Sequence, residues 1–212
     1  MSERGGTAIV LAAGASRRFG GRPKALLPVG RELAIERILR LCQGAGYSPI
    51  VAVVGPHETE IRQALLRSEY PPDEFRSNPG WSAGRTGSVQ CGLEEADESG
   101  SALLWPVDTP LASSETLERL AERRRSDSLG LWFLPTYHGA GGHPVLFSRE
   151  VFPRIRHLGP DVPLRSLLPE LGPQVVRVEV DDPGVTANLN TPEEYYRALA
   201  TFSPERDSWT AP

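Results

Sequence analysis

Short apolar runs alternate with longer amphipathic runs through most of the chain, and this alternation limits the possible folds more than any other feature. The short runs "TAIVLAA", "PIVAVVG", "SALLWPV" and "LGLWFLPT" have the length and composition of buried strands. Between them lie helix-like stretches, "ELAIERILRLCQGA", "ETEIRQALLRSE", "GSVQCGLEEA" and "SSETLERLAERRR". This order predicts a single α/β domain of three layers, in which helices cover both faces of a mostly parallel, Rossmann-like sheet. Ligands of such sheets bind beyond the carboxyl ends of the strands.

The pattern changes after "LGLWFLPT". "GHPVLF" is short and extended, "REVFPRIRHL" and "PLRSLLPEL" predict short helices, and "QVVRVEV" predicts a strand. "TPEEYYRALATF" predicts a closing helix in which Thr191 is the N-cap and Glu194 completes a capping box. "EYPPDEF" predicts a simple connecting turn. We therefore expect one domain over residues 1–202, followed by a flexible tail over residues 203–212.

The composition narrows the class of ligand. A chain of 212 residues, 39% of them hydrophobic, is long enough to form one domain with its own core. A net charge of −4 with interspersed acids and bases argues against a nucleic-acid partner and favours a small ligand. Cys42 and Cys91 lack metal-site spacing, which predicts reduced thiols of a cytoplasmic protein. No apolar run has the length of a membrane span, so no membrane partner is expected.

The loop "LAAGASRRFGGRPKALLP" follows the first predicted strand and holds glycines, three arginines and Lys24. Of 23 basic residues in the chain, Lys24 is the only lysine. Its presence indicates either that this position needs an ammonium group or that a general bias toward arginine left a single lysine by chance. The loop fits neither the dinucleotide pattern GxGxxG nor the Walker A pattern GxxxxGK[ST]. Backbone N–H groups of a glycine-rich turn, combined with fixed cations, still favour a polyphosphate ligand.

The same loop closely resembles the signature of nucleotidyltransferases, LAAGxSxRxG followed by K and LLP. The resemblance implies the nucleotide-diphospho-sugar transferase fold, with the loop wrapped around the base, ribose and triphosphate of an NTP. It implies that Arg17 and Lys24 contact phosphates, while Arg18 and Arg22 are expected to be solvated neighbours. The full set of nucleotide-binding residues that it implies is Leu11, Ala12, Ala13, Gly14, Ser16, Arg17, Lys24, Ser88 and Gly92.

Two further matching blocks imply a magnesium site. In "WPVDTPL", Asp108 follows an apolar strand at the position where the family places a carboxylate on Mg²⁺, although an aspartate there could also be a helix cap. In "ANLNTPEEY", the family carries Asp or Asn as a second ligand, and Asn188 and Asn190 are the candidates. For Asn190, a hydrogen bond within the turn is the alternative. The resemblance thus implies Lys24, Arg17 and Asp108 as the catalytic residues.

The blocks "NPGWSAGRTGSVQCGL" and "GAGGHPVLF" resemble molybdenum cofactor cytidylyltransferases and their relatives in molybdenum hydroxylase maturation. His143 could offer a hydrogen bond or a proton to the acceptor, or could simply pack at a strand start. Trp81 could stack on a heterocycle or belong to the core. The acceptor-binding residues that the resemblance implies are Trp81, Arg85, Gly142, His143, Asp161 and Arg165.

One segment departs from these relatives. Where they usually carry G-D-x-G-A-R, this chain has "GPDVPLR", which keeps Asp161 and Arg165 but loses both glycines. The changed residues predict an acceptor pocket of altered shape.

The resemblance implies in-line attack by an acceptor phosphate on the α-phosphorus of an NTP, with Mg²⁺ as cofactor and pyrophosphate as leaving group. We expect CMP transfer from CTP to a molybdopterin-type acceptor, and a molybdenum hydroxylase apoenzyme as a possible later partner. Three alternatives stay open: guanylyl transfer to the same cofactor, for which relatives usually carry LAGG instead of LAAG; sugar-phosphate nucleotidyl transfer; and a non-catalytic maturation factor.

Overall fold

A sheet of eight strands runs through the middle of the molecule. The computed structural model describes residues 6–96 and 100–201. Across the sheet the strand order is β10, β7, β9, β6, β1, β4 and β5, with β8 paired to β7. Its strands are β1 (Thr7–Ala12), β4 (Ile50–Val54), β5 (Glu74–Ser77), β6 (Ser101–Pro106), β7 (Trp132–Tyr137), β8 (Ala140–Gly141), β9 (Val145–Ser148) and β10 (Val175–Glu179).

All strand pairs on the main path of the sheet are parallel except those that β9 makes with β6 and β7, and β8 is also antiparallel to its partner. The predicted mostly parallel α/β sheet is therefore confirmed. A separate hairpin, β2 (Pro28–Val29) with β3 (Glu32–Leu33), was not predicted. The helices are α1 (Ala34–Gly44), α2 (Glu58–Leu65), α3 (Arg85–Leu93), α4 (Ser114–Ser126), α5 (Phe152–His157), α6 (Leu168–Leu171) and α7 (Pro192–Thr201).

Strand alternation divides the apolar side chains between two cores, one on each face of the sheet. Within β1, Ala8 and Val10 pack into the core that contains helices α1 and α4. Ile9 and Leu11 point the other way, into the core that contains α3 and α5. Because both faces are covered, the central strands are apolar throughout, which is why their sequences show continuous apolar runs.

The segment "EYPPDEF" forms the predicted turn only in its first part. Glu74 and Phe75 already belong to the edge strand β5, so the prediction of a simple turn was wrong at its end. Asp73 starts this strand, because its N–H donates to the carbonyl of Ile50 and its carboxylate accepts from the N–H of Ile50 at 2.7 Å. The mixed exposure of β5, which is typical of an edge strand, left no periodic signal.

The closing helix α7 is present as predicted, with one difference in its cap. Thr191 Oγ1 accepts from the N–H of Glu194 at 3.2 Å, but the Glu194 carboxylate accepts from the N–H of Asn190 rather than Thr191. The predicted tail, residues 203–212, lies outside the described residues. Every helix in the described ranges is too short or too polar to cross a bilayer.

Candidate active site

The loop after β1 folds back on itself beyond the carboxyl edge of the sheet. Ser16 adopts a left-handed conformation with φ of 50°, and its Oγ accepts from the N–H of Lys24 at 3.0 Å. Gly20 and Gly21 continue the reversal with φ of 62° and 84°, values that favour glycine. The turn therefore brings Lys24 back beside the start of the loop, from a position eight residues further along the chain.

The connection between β4 and α2 supports this loop from behind. A Cβ on Gly55 would lie 2.6 Å from the carbonyl oxygen of Ala13, so only glycine allows this approach. His57 Nε2 lies 3.3 Å from the carbonyl oxygen of Ala15. Neither residue was predicted to contribute, because each is distant in sequence from the signature loop.

The side chain of Lys24 contacts a residue near the C-terminal helix α7. Its Nζ donates to Asn190 Oδ1 at 2.9 Å, and the N–H of Asn190 is in turn held by the Glu194 carboxylate at 2.9 Å. Burial lowers the pKa of Lys24, the carboxylate of Asp108 opposes that effect, and the guanidinium of Arg85 adds to it. The lone lysine is thus held in a fixed position by an amide oxygen at the start of α7.

Asp108 follows β6 and is buried. Its backbone carbonyl accepts from the N–H of Leu189 at 2.7 Å, which joins the turn after β6 to the "NLN" segment. Its Oδ2 accepts from Arg85 at 3.2 Å. Its Oδ1 is buried without a hydrogen-bond partner among the described residues. A buried carboxylate oxygen of this kind calls for a cation or a donor from a bound ligand.

Two oxygen atoms of the site are of the kind that a divalent cation prefers. Asp108 Oδ1 and Asn190 Oδ1 offer one carboxylate and one amide oxygen, and Mg²⁺ in nucleotide sites typically takes one or two carboxylates and completes its shell with phosphates and water. Within residues 6–96 and 100–201, no group of three or more His, Cys, Asp and Glu residues could hold a metal alone. Asn188 is exposed and donates its side-chain amide to the carbonyl of Thr186 at 3.1 Å.

Lys24, Arg85, Asp108 and Asn190 line a cavity of about 280 Å³, which we call the first cavity. Arg17 lies outside it, at a shallower entrance that also includes Arg18. Asn78, which was not predicted, is buried beside the first cavity and donates to Ser88 Oγ at 2.9 Å. The predicted site residues that line the first cavity are Leu11, Ala12, Ala13, Gly14, Ser16, Lys24, Trp81, Arg85, Ser88, Asp108 and Asn190.

Besides Arg17 and the exposed Asn188, which do not line the first cavity, two predicted residues lie elsewhere than expected. Gly92 does not line the first cavity; it packs α3 onto the sheet, where an added Cβ would lie 2.4 Å from Ile9 Cγ2. A packing role therefore accounts for this glycine. Trp81 was grouped with the acceptor residues, but it lies on the 3₁₀ turn before α3 and lines the first cavity, not the second.

A larger cavity of about 520 Å³, which we call the second cavity, adjoins the first, and Arg85 lines both. The predicted acceptor residues Arg85, Gly142, His143, Asp161 and Arg165 all line it. Its remaining walls are Thr86, Leu104, Trp132, Leu134, Gly141, Val145, Pro163, Leu164 and Leu168. Gly141 was expected, with Gly142, to allow close backbone approach to the acceptor; the other eight were not predicted to line a site, and most lie in apolar stretches that indicated only core.

His143 stands in the wall of the second cavity. Its N–H donates to the carbonyl of Val185 at 2.8 Å, and its peptide bond to Pro144 is cis. Gly142 allows this contact, because a Cβ there would lie 2.2 Å from the Val185 oxygen. Burial lowers the pKa of His143 to about 4, so the ring is neutral at neutral pH and is suited to hydrogen bonding rather than to proton donation.

The divergent segment "GPDVPLR" is seated on the start of α3. Gly84 makes the closest approach, since a Cβ on it would lie 2.1 Å from the carbonyl oxygen of Pro160. The N–H of Gly87 donates to that oxygen at 3.4 Å. Thr86 Oγ1 donates to the carbonyl of Val162 at 2.5 Å. These contacts hold the segment over the second cavity.

Comparison with known proteins identifies the family of the chain. Residues 8–175 match the model of the MobA-like NTP transferase domain. The chain is 26% identical over 198 residues to nicotine blue oxidoreductase of Paenarthrobacter nicotinovorans, covering 91% of this chain and 96% of that one. It is 25% identical over 191 residues to molybdenum cofactor guanylyltransferase of Vibrio parahaemolyticus, covering 88% and 91%. It also matches the bifunctional protein GlmU of Kineococcus radiotolerans at 36% identity, but spans only 25% of that protein.

Solved structures share the fold over nearly the whole chain. Rv0371c of Mycobacterium tuberculosis H37Rv superposes with a TM-score of 0.77 at 25% identity, covering 92% of this chain and 98% of that one. A second structure of that protein, described as a complex with manganese, has a TM-score of 0.71 at 24% identity over the same shares. Since the family model covers most of the chain, the protein belongs to the MobA-like NTP transferase family of nucleotidyltransferases.

Proposed function

We propose that the protein transfers CMP from CTP to the phosphate of a molybdopterin-type acceptor and releases pyrophosphate. One observation carries the proposal: the signature loop, the Lys24 to Asn190 contact and the unpartnered Oδ1 of Asp108 meet around one cavity that adjoins a second. The first cavity would hold the nucleotide and the second cavity the acceptor. A molybdenum hydroxylase apoenzyme would then receive the product.

In this reaction an acceptor phosphate oxygen attacks the α-phosphorus in line. The new P–O bond forms as the bond between the α-phosphorus and the pyrophosphate oxygen breaks, and no covalent enzyme intermediate is needed. Lys24, held by Asn190, would face the departing pyrophosphate, and Arg17 at the entrance would add a second positive charge. Arg85 lines both cavities and is therefore placed to neutralise charge where the two substrates meet.

Asp108 and Asn190 would hold Mg²⁺, as the fit of their oxygen atoms indicates. Bound there, the ion would neutralise phosphate charge and orient the reacting oxygens. Asn190 Oδ1, which accepts a hydrogen bond from Lys24 Nζ, would then also contact the ion. The description of a structural neighbour as a manganese complex supports a divalent cation in this fold.

The choice of CTP over GTP rests on Ala13. This residue is buried and lines the first cavity, at the position where guanylyltransferases of this type usually carry glycine. Its methyl group narrows the space available to a purine, and one such overpacking contact typically costs about 1–3 kcal/mol. The relative named molybdenum cofactor guanylyltransferase makes GTP the competing nucleotide.

A pyrophosphate-release assay tests the whole proposal. CTP, GTP, UTP and ATP are each combined with molybdenum-loaded molybdopterin and with glucosamine 1-phosphate, in the presence and absence of Mg²⁺. We expect release with CTP and molybdopterin, dependent on the metal. Release with GTP alone would replace the cytidylyl proposal by a guanylyl one, and release only with the sugar phosphate would remove the molybdopterin acceptor.

A second candidate is a redox reaction on an aromatic substrate. The observation in its favour is that similarity to nicotine blue oxidoreductase extends over 91% of this chain. Such a reaction would need a hydride donor but no nucleoside triphosphate. Oxidation of NADH or NADPH with a quinone dye, followed at 340 nm without NTP, tests it. Dye-dependent oxidation together with no pyrophosphate release in any combination would favour this candidate over nucleotidyl transfer.

A further inference from the structure

The turn between β4 and α2 contacts two carbonyl oxygens of the signature loop. The carbonyl oxygen of Ala13 faces Gly55, where an added Cβ would lie 2.6 Å from it. The carbonyl oxygen of Ala15 faces His57, whose Nε2 lies 3.3 Å away. Neither Gly55 nor His57 lines either cavity. Two peptide groups of the loop are therefore turned with their oxygens toward the same side, from outside the site.

The direction of a carbonyl fixes that of the following N–H group, because a trans peptide unit is planar and its C=O and N–H point in opposite directions. The N–H groups of Gly14 and Ser16 therefore point away from the turn after β4. Strands β4 and β6 flank β1 on opposite sides, and the first cavity takes part of its wall from the end of β6. Both N–H groups thus face the first cavity and its entrance, which Gly14 and Ser16 line.

The conformation of Ser16 depends on support from its neighbours. Its φ of 50° lies in the left-handed region, which a residue with a side chain rarely adopts unless the surrounding structure fixes it. Ser16 Oγ accepts from the N–H of Lys24, and the peptide before Ser16 is held through the carbonyl of Ala15. Within the described ranges, neither Gly14 nor Ser16 donates its N–H to another backbone group. Backbone N–H groups of such turns are donors for anions.

The ring of His57 is held at both ends. Its side chain is 15% exposed, and its Nδ1 lies 3.0 Å from Glu60 Oε2. Both ring nitrogens face acceptor oxygens, so each contact is a hydrogen bond only where that nitrogen carries a proton. Without a donor at Nε2, the carbonyl of Ala15 would be free to turn, and the N–H of Ser16 would turn with it.

We propose that His57 is a positioning residue, which holds the carbonyl of Ala15 and thereby directs the N–H of Ser16 at the phosphates of the nucleotide. Gly55 allows the parallel orientation of the peptide between Ala13 and Gly14. His57 lines neither cavity and acts only through the loop. The proposal deepens the proposed function, and it rests on the first cavity being the nucleotide side.

Nuclear magnetic resonance measures this orientation directly, because the amide proton signals of Gly14 and Ser16 move downfield when these groups donate to an anion. The probe is inorganic tripolyphosphate, without nucleoside, metal or acceptor. Both signals are expected to move in the wild-type protein. In His57→Phe the Gly14 shift should stay, the Ser16 shift should fall below about a third, and the affinity for tripolyphosphate should fall about fivefold, because one charge-assisted hydrogen bond is misdirected.

Two further variants separate this role from a general effect on stability. His57→Gln supplies an N–H donor without the ring and is expected to restore the Ser16 shift, with an affinity within about twofold of wild type. His157→Phe makes the same exchange as His57→Phe at an exposed histidine, whose Nδ1 lies 2.6 Å from the carbonyl oxygen of Pro153 outside both cavities. It is expected to leave both amide signals and the affinity unchanged.

A wild-type Ser16 signal that does not respond to tripolyphosphate would overturn the proposal, and so would a folded His57→Phe protein that keeps the full Ser16 shift. Equal losses at Gly14 and Ser16 would mean that the substitution loosens the whole loop. A His57→Gln protein that behaves like His57→Phe would exclude the donor as the cause.

If His57→Phe does not fold, His57→Ala replaces it with the same expectations. The samples contain neither acceptor nor metal, so the outcome is independent of the transfer reaction. A protein that releases no pyrophosphate from any NTP but shows the Ser16 response would contradict the proposed function and keep this inference. Release of pyrophosphate with no Ser16 response would do the reverse.

Discussion

The first cavity takes half of its lining from one continuous stretch, residues 11–25, whereas the second cavity takes its lining from β6, β7, β8, β9, the turn between β8 and β9, the start of α3 and the 161–168 segment. Each is lined by three charged residues, but the first adds the amide of Asn190, whereas the second has larger apolar walls with its charges at the exposed side. Phosphoryl transfer needs cations and donors at fixed places. An acceptor body needs shape and a few oriented polar groups. The difference between the cavities agrees with these two requirements of the proposed function.

Removing the carboxylate of the first cavity is the strongest test of this division. Asp108→Asn is expected to lower kcat/KM at least about a hundredfold, equivalent to about 2.7 kcal/mol, because the proposed metal site loses its only anionic ligand. The Mg²⁺ concentration needed for half-maximal rate should rise. The measurement is a Mg²⁺ titration of pyrophosphate release, with the melting temperature as a check on folding.

Asp161→Asn is the matched control, because this carboxylate is exposed and lines only the second cavity. It is expected to leave the Mg²⁺ titration where it is. A titration of Asp108→Asn that coincides with the wild-type curve would remove this residue from the metal site.

Exchanging the lone lysine tests geometry at constant charge. Lys24→Arg is expected to lower kcat at least about tenfold, because a planar guanidinium cannot reproduce the 2.9 Å contact from a compact ammonium to Asn190 Oδ1. Single-turnover rates measure the effect. Arg22→Lys, an opposite exchange at an exposed residue outside both cavities, is expected to stay near wild type. A fully active Lys24→Arg protein would mean that composition bias alone accounts for the lysine.

The elements predicted correctly from the sequence are those specified by neighbouring residues. The apolar runs that became β1, β4, β6 and β7 are recognisable because each is buried on both faces. Eight residues of the signature loop line one cavity, because the loop closes through local turns and the contact between Ser16 and Lys24.

The features that were missed depend on partners far away in the chain. Trp132 is indistinguishable from a core residue in "LGLWFLPT", and only the 161–168 segment packed opposite β7 makes it a cavity wall. The edge strand β5 forms through pairing with β4 and has no periodic pattern of its own. Gly92 shows the reverse case, because its place in a matching motif predicted nucleotide contact although the helix needs it to pack on Ile9.

Enlarging the first cavity tests whether it, rather than the second cavity, sets nucleotide choice. The wild-type protein is expected to prefer CTP over GTP by about tenfold to a hundredfold in kcat/KM, and Ala13→Gly should narrow that ratio about fivefold by removing the methyl group. Both nucleotides are measured with both proteins. A parallel slowing of CTP and GTP would instead show that the substitution merely loosens the loop.

The smallest expected effect comes from shortening one apolar side chain in the lining of the second cavity. Leu164 stands where the related pattern has an alanine. Leu164→Ala therefore removes apolar contact area from the second cavity and changes no charge. At about 25 cal/mol per Å² and with only partial burial, the loss should raise the KM for the acceptor about threefold. The KM for CTP should not change, because Leu164 does not line the first cavity.

Leu66→Ala, at a leucine that is 80% exposed, controls for the loss of a side chain in general. If both KM values rose together in Leu164→Ala, the two cavities would be coupled through Arg85, and the division of labour between them would have to be replaced by a single shared site.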